Sequence, residues 1–444
     1  MLKKEVFNFL KTVGLVLVLV VAFMSYIIIR DDRDALDLFE QAFTNRSFYV
    51  FVLSVSLLAY VLFLIIRYFT RVFKKQGLRS MIIKASLRFL VPIALLYGGV
   101  KYLVDSNSNE AFVYTWDHSI ENTTGCSNDF FATDGKLRGM TVFNWRRKDA
   151  LGYDNLVKNN IEWVAIVPFF YQEDEKTSAM SVPGNNDRWS RRDSMFIESA
   201  KRLKDRNIRI MLKPHLWLGD GWRSNVNLNS EAEWKTWFKA YKQGMLHYAK
   251  IASDNGVDLL CIGTELRSSL KEQPDQWKGL IADIKNIYKG KLTYAANWDG
   301  EYDHIDFWGK LDYIGIQGYY PLTDSKNPEL KDIKIGWDKH LDGLQELSEK
   351  YDKPILFTEI GYKNESAATI RPWEWGSFFS ILFTQKSNKT QQLAYEALYQ
   401  KLWDKDWFAG TFIWQWNSSS RQIDFTPQDK PAQNTIAKWY GSAN

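Results

Sequence analysis

Beyond residue 136, short apolar runs rich in β-branched and aromatic residues alternate with longer amphipathic segments through the rest of the chain. The runs are Leu137 to Phe143, Ile161 to Phe170, Ile208 to Leu216, Val257 to Gly263, Leu292 to Ala296, Leu311 to Gln317, Ile355 to Thr358 and Phe408 to Trp416. Helical patterns fall between most of them, as at Asp193 to Asp205, Glu231 to Asn255, Gln276 to Tyr288, Trp337 to Lys350 and Thr390 to Trp403. Parallel strands need crossovers long enough to hold a helix, so this order predicts an α/β fold, a TIM (β/α)8 barrel over 137–444. A doubly wound open sheet is the alternative, but no glycine fingerprint follows the first strand.

The first hundred residues obey a different rule. All 19 tryptophans lie at or after Trp116, and the chain before them holds three apolar stretches, at about 12–29, 48–66 and 87–104. The first two approach the roughly 20 residues needed to cross a bilayer, and the third does so if Arg88 and Lys101 snorkel. The expectation is an all-α membrane region of three transmembrane helices over 1–105, followed by a polar linker or lead-in over 106–136. Lys3, Lys4 and Lys11 precede the first span, Asp31 to Gln41 is acidic, and Arg67, Arg71, Lys74, Lys75, Arg79 and Lys84 fill the next loop. The positive-inside rule then places the N-terminus in the cytoplasm and the barrel on the outer side of a cytoplasmic membrane. A cleaved signal peptide is the rival for the first span, but no small-residue cleavage pattern follows Ile29.

A formal net charge of +5, much of it in that basic loop, gives no reason to expect a nucleic-acid partner. Cys126 and Cys261 form no disulfide framework, and Cys261 reads as a small core residue. The histidines, His118, His215, His247, His304 and His340, never occur at metal-ligand spacing, and no metal or other cofactor is expected.

Active sites of such barrels lie at the C-terminal ends of the strands. Two glutamates occupy such ends, in Cys-Ile-Gly-Thr-Glu265 on the fourth strand and Phe-Thr-Glu359-Ile-Gly-Tyr on the seventh. Either alone also reads as a strand-end salt bridge. As a pair facing one another across the mouth they suit glycoside hydrolysis, which needs an acid for the leaving oxygen and a carboxylate for the anomeric carbon. Glu265 is assigned as acid/base and Glu359 as nucleophile. Tyr319, beside the seventh strand, is the expected donor to Glu359, with Tyr320 as its competitor. Trp414 and Trp416 share a face by strand alternation, and one of them is expected under the sugar. Lys213 and His215 read either as sugar ligands or as a satisfied rim pair, and Arg138 as a structural ion-pair partner. The remaining rim positions include Asn144, Thr264, Asn297, Trp298 and Asn417.

These segments resemble the clan of retaining TIM-barrel glycoside hydrolases with catalytic glutamates on strands four and seven. Within it the chain is most similar to glycoside hydrolase family 113, a likeness supported by Lys213-Pro-His215, Ala-Asn297-Trp298 and Gly410-Thr-Phe-Ile-Trp414. The resemblance implies an endo-β-1,4-mannanase-like activity on a β-linked oligo- or polysaccharide, with Thr264, Asn297, Trp298, Tyr319 and the strand-eight tryptophans at the substrate. One departure from the clan is the residue before the acid/base, commonly asparagine and here Thr264. Its shorter hydroxyl leaves the contact to the sugar 2-hydroxyl to Asn297 or to water. Transglycosylation, another β-glycan, or a non-catalytic glycan-binding barrel are the alternatives on the same machinery.

Overall fold

The computed structural model of the chain describes residues 2–31, 43, 46–108, 114–142, 145, 152–184, 187–376, 383–416 and 423–443. It divides into two compact units, Met1–Tyr102 and Leu103–Asn444.

In the first unit, helix Leu2–Asp31 packs on helix Arg46–Ala85. Tyr60 donates to the Glu5 carboxylate at 2.7 Å and Arg67 pairs with it at 3.2 Å. Two helical stretches are long and apolar enough to cross a membrane, Lys3–Tyr26 and Phe48–Asn107. The sequence suggested three separate segments. The second and third instead fall within one helical stretch, which has non-helical backbone at Gly77, with a φ of 78° and ψ of 175°, and a π-helical turn at Ser86–Leu90.

The second unit is a closed barrel of eight parallel strands. In chain order the strands are β1 (Leu137–Val142), β2 (Trp163–Ile166), β3 (Phe169–Gln172), β4 (Met180–Ser181), β5 (Arg209–Leu212), β6 (His215–Leu218), β7 (Leu259–Thr264), β8 (Lys291–Asn297), β9 (Tyr313–Gln317), β10 (Ile355–Ile360) and β11 (Phe408–Trp416). The barrel runs β1-β2-β5-β7-β8-β9-β10-β11 and closes on itself, while β4, β3 and β6 form a separate three-stranded sheet. Alternate residues face inward or outward. Trp163, Ala165, Met211, Leu259, Cys261, Ala295, Tyr313 and Leu356 fill the interior, and their neighbours Val164, Ile210, Leu260, Ile314 and Phe357 pack under the outer helices.

The separate sheet corrects the expected second and third strands, each read from sequence as one long run. Both break at proline, after Val167-Pro168 and at Lys213-Pro214. Proline has no N–H for the ladder and restricts the residue before it, so each run ends in the barrel and restarts above it. The fifth crossover, between β8 and β9, carries only short 3-10 turns at Tyr302–His304 and Trp308–Lys310.

The polar lead-in folds against the N-terminal ends of the strands. Phe131 N–H donates to Glu162 at 2.9 Å, and buried Arg138 pairs with Asp134 at 2.6 Å while donating to the carbonyl of Tyr440. Phe143, Asn144 and Asn417 lie outside the described residues.

Candidate active site

Both glutamates follow breaks in strand register. Between β10 and β9, Phe357 pairs with Ile316 but Glu359 with Gln317, so one extra residue sits on β10. The equivalent shift between β7 and β8 falls between Cys261 and Thr264, and Glu265 then takes a left-handed φ of 53°. A bulge re-aims the side chain that follows it. On β10 it brings Glu359 into the company of Lys213 and Tyr319 although inward-packed Leu356 has the opposite parity.

Glu359 is 5% exposed and receives donors on both oxygens. Lys213 Nζ lies 2.5 Å from Oε1 and Tyr319 Oη donates to Oε2 at 3.2 Å. Lys213 is wholly buried, and its other two hydrogen bonds go to Gln317 Oε1 and the carbonyl of Thr358, each at 3.2 Å. Its three donors are thereby used within the protein, which makes it an internal partner of the carboxylate where a sugar ligand was one of two expectations.

Glu265 is equally buried. Arg223 Nε donates to its Oε2 at 3.1 Å, and the Gln317 amide donates to its Oε1. Gln317 therefore links the two carboxylates through Lys213. Burial raises the Glu265 carboxyl above its ordinary range, Arg223 opposes this, and the Glu359 charge adds to it.

A second link runs through His215. Arg223 Nη1 approaches His215 Nδ1 at 3.3 Å, and because a guanidinium only donates, Nδ1 accepts and the ring proton resides on Nε2. That atom lies 3.4 Å from Glu359 Oε1, a close contact rather than an aligned hydrogen bond. Burial, helped by the charges of Arg223 and Lys213, holds the imidazole well below its usual range and hence neutral.

Behind Glu265 stands a buried carboxylate in no strand. Glu301 accepts from Tyr294 Oη at 2.6 Å and from Asn297 N–H at 3.1 Å, and Tyr294 Oη in turn accepts the N–H of Leu266 at 2.7 Å. Burial pushes the Glu301 carboxyl up to about 7.

Tyr319, Trp414 and Phe425 form one cluster at the mouth, with Trp298 against it. The Trp414 and His215 rings are parallel within 2°, their centroids 6.5 Å apart. The peptide from Trp414 to Gln415 is cis. Trp416, expected on the same face, is instead 3% exposed within the main core, and the pairing of β11 with β1 is irregular there. Tyr320 is buried among Trp337, His340 and Phe357, so the competition at Glu359 goes to Tyr319. Asn297 donates to Ser224 Oγ at 3.2 Å, and Thr264 is buried with Cys261 Sγ 4.0 Å from its hydroxyl.

Gln317, Arg223 and Glu301 were not singled out from sequence. Gln317 carried the same signal as the glutamates, a polar residue closing an apolar strand. Arg223 and Glu301 lie in irregular connections, where no periodicity marks them. Among the described residues no cluster of His, Cys, Asp and Glu side chains could hold a metal ion.

The model of glycoside hydrolase family 113 matches residues 142–442, which is most of the chain. The chain belongs to glycoside hydrolase family 113. Its family 113 barrel is similar to a family 113 β-mannanase from Alicyclobacillus acidocaldarius in complex with ManMIm, with a TM-score of 0.59 and 24% identity over 69% of this chain and 97% of that one. It is also similar to a family 113 β-1,4-mannanase solved as a complex, with a TM-score of 0.58 and 24% identity over 69% of this chain and 99% of that one. At this identity the likeness establishes a shared fold. No curated protein matches the chain.

Proposed function

We propose that this family 113 glycoside hydrolase is a membrane-anchored retaining β-glycosidase, most similar in substrate to the β-mannanases, with Glu359 as nucleophile and Glu265 as acid/base. The observation that carries this reading is the pair of buried carboxylates at the mouth, joined through Gln317 and Lys213.

In the first step Glu265 gives its proton to the glycosidic oxygen while Glu359 attacks the anomeric carbon, so the C–O bond breaks and a glycosyl ester forms. In the second, Glu265 takes a proton from water as the water oxygen attacks the same carbon and releases Glu359. A raised Glu265 favours the proton-bearing form that the first step needs. Lys213 and Tyr319 fix the rotamer of Glu359, and neutral His215 adds a third polar contact without a second cation. Trp414 offers an indole face at the mouth for the apolar side of a pyranose.

For the N-terminal unit the reading is a three-span anchor with the barrel outside. At about 1.5 Å per residue, the helical stretch Phe48–Asn107 is far longer than the roughly 30 Å hydrocarbon layer, which supports two passes divided near its basic middle. Its apolar side chains, among them Leu57, Leu62, Leu95 and Leu96, are exposed in the folded chain, as lipid-facing residues would be.

The test is a panel of β-1,4-linked manno-, gluco- and xylo-oligosaccharides followed by mass spectrometry of the products. Cleavage of manno-oligosaccharides that disappears in Glu265→Ala and Glu359→Ala supports the whole reading. Cleavage of another member replaces the substrate, and turnover unchanged in both variants overturns the mechanism.

A further inference from the structure

The sheet of β3, β4 and β6 stands beyond the barrel as a wall, and its two faces are chemically different. The rear face packs on helix Glu231–Asp254. Phe170 lies against Tyr248 and Tyr241, with ring centroids 5.6 and 5.7 Å away, and Trp237 donates to Gln172 at 2.8 Å. Gly244 on that helix allows the approach, since a Cβ there would lie 2.7 Å from the Phe170 ring.

The other face is set by register. Phe169 pairs with His215 and Tyr171 with Trp217, so these four side chains share the side opposite Phe170 and Gln172. The face begins at the candidate active site, where His215 lies against Glu359 and parallel to Trp414. From there Phe169 meets His215 edge-on at 6.0 Å and Trp217 edge-on at 5.8 Å. Tyr171 is held by Arg192, whose guanidinium lies over the ring and donates to its hydroxyl at 3.3 Å. Trp217 is 57% exposed, whereas its neighbours Leu216 and Leu218 are buried. Two residues of extended strand place Trp217 about 7 Å farther out than His215, of the order of one pyranose unit. Packing of the fold does not require an indole in water at that position, whereas a sugar ring passing along the wall would cover it.

We propose that this aromatic face is a sugar-binding subsite, in which Trp217, braced by Phe169, stacks on a pyranose of the same β-linked chain one or two units from the bond between Glu265 and Glu359. The inference rests on the glycosidase reading for the identity of its ligand. It makes Trp217 a determinant of chain-length preference, outside the group that performs the chemistry.

The experiment is calorimetric titration of the full-length Glu359→Gln protein in detergent with β-1,4-linked mannohexaose, cellohexaose, xylohexaose and mannobiose, with and without Trp217→Ala. Trp217→Ala is expected to weaken binding of the preferred hexasaccharide roughly tenfold and leave the disaccharide unchanged, with Trp217→Phe regaining part of the loss. An unchanged hexasaccharide affinity, or no hexasaccharide binding at all, overturns the subsite. Wild-type protein that binds a hexasaccharide through Trp217 yet releases no product contradicts the catalytic reading and leaves the subsite standing. Cleavage with a product-size profile unaltered by Trp217→Ala does the reverse.

Discussion

Lys213 Nζ lies 2.5 Å from Oε1 of Glu359, both groups almost wholly out of water. Removing one partner leaves the other charge buried and uncompensated, which costs about 3–5 kcal/mol in such pairs. Lys213→Met is therefore expected to lower the thermal unfolding midpoint and to reduce kcat at least a hundredfold. The double variant Lys213→Met, Glu359→Gln is expected to recover much of the lost stability without recovering activity. Calorimetric unfolding of the three proteins checks this, and a double variant less stable than Lys213→Met would contradict it.

Tyr319→Phe deletes one hydrogen bond to a carboxylate and little else, since Tyr319 donates to Glu359 Oε2 at 3.2 Å from within the Trp414 and Phe425 cluster. A hydrogen bond to a charged group contributes roughly 1.5–3 kcal/mol, so kcat is expected to fall about ten- to hundredfold. Steady-state kinetics on an oligosaccharide substrate provides the measure.

The pH profile follows from Glu265. Its carboxyl is raised by burial and by the Glu359 charge and lowered by Arg223, and the proposed first step needs it protonated. Activity is thus expected to decline as pH rises through the Glu265 value, above the ordinary carboxylate range. Arg223→Gln removes the opposing charge, so the alkaline limb of kcat/KM should move to higher pH. A limb that moves down, or that stays in place, counts against Glu265 as the acid.

Glu301 is linked to Glu265 through the peptide that follows it. Glu301 receives Tyr294, and Tyr294 receives the N–H of Leu266, next in chain to the left-handed Glu265. Tyr294→Phe and Glu301→Ala are expected to lower kcat about tenfold with KM nearly unchanged, and Glu301→Gln to retain more activity than Glu301→Ala. With the native carboxyl raised from 4.5 to about 7, the folded state keeps a proton that the unfolded chain has lost. Stability from this group therefore falls as pH rises from about 4.5 to about 7, and Glu301→Gln should flatten that part of the stability curve.

The barrel was legible because each strand carries its own apolar run, and the two glutamates stood out as carboxylates directly after buried strands. What could not be read was where those runs break. Pro168 and Pro214 divide two strands and raise the aromatic wall, a consequence of local backbone chemistry acting inside a continuous hydrophobic pattern. Strand alternation paired Trp414 with Trp416, yet the register of β11 is irregular there and the two fall in different clusters. Arg223 and Glu301 reach Glu265 from connections without period, so only the folded arrangement brings them to it.

The proposed anchor predicts a fractionation result. The full chain is expected to sediment with membranes and to need detergent for release, whereas a chain starting at Asn107 should remain in the supernatant. Release of the full chain by salt alone would contradict an integral anchor.

The central claim is that Glu359 forms the covalent link to the sugar, and trapping that link tests it most directly. A 2-deoxy-2-fluoro glycosyl fluoride of the sugar that the enzyme cleaves slows the second step and lets the ester accumulate. Peptide mass spectrometry is predicted to find one glycosyl group on Glu359 in Pro354-Ile-Leu-Phe-Thr-Glu359-Ile-Gly-Tyr362, and none in Glu265→Ala or wild-type protein on the peptide around residue 265. A label on Glu265, or an active enzyme that takes no label and releases product of inverted anomeric configuration, would contradict the account.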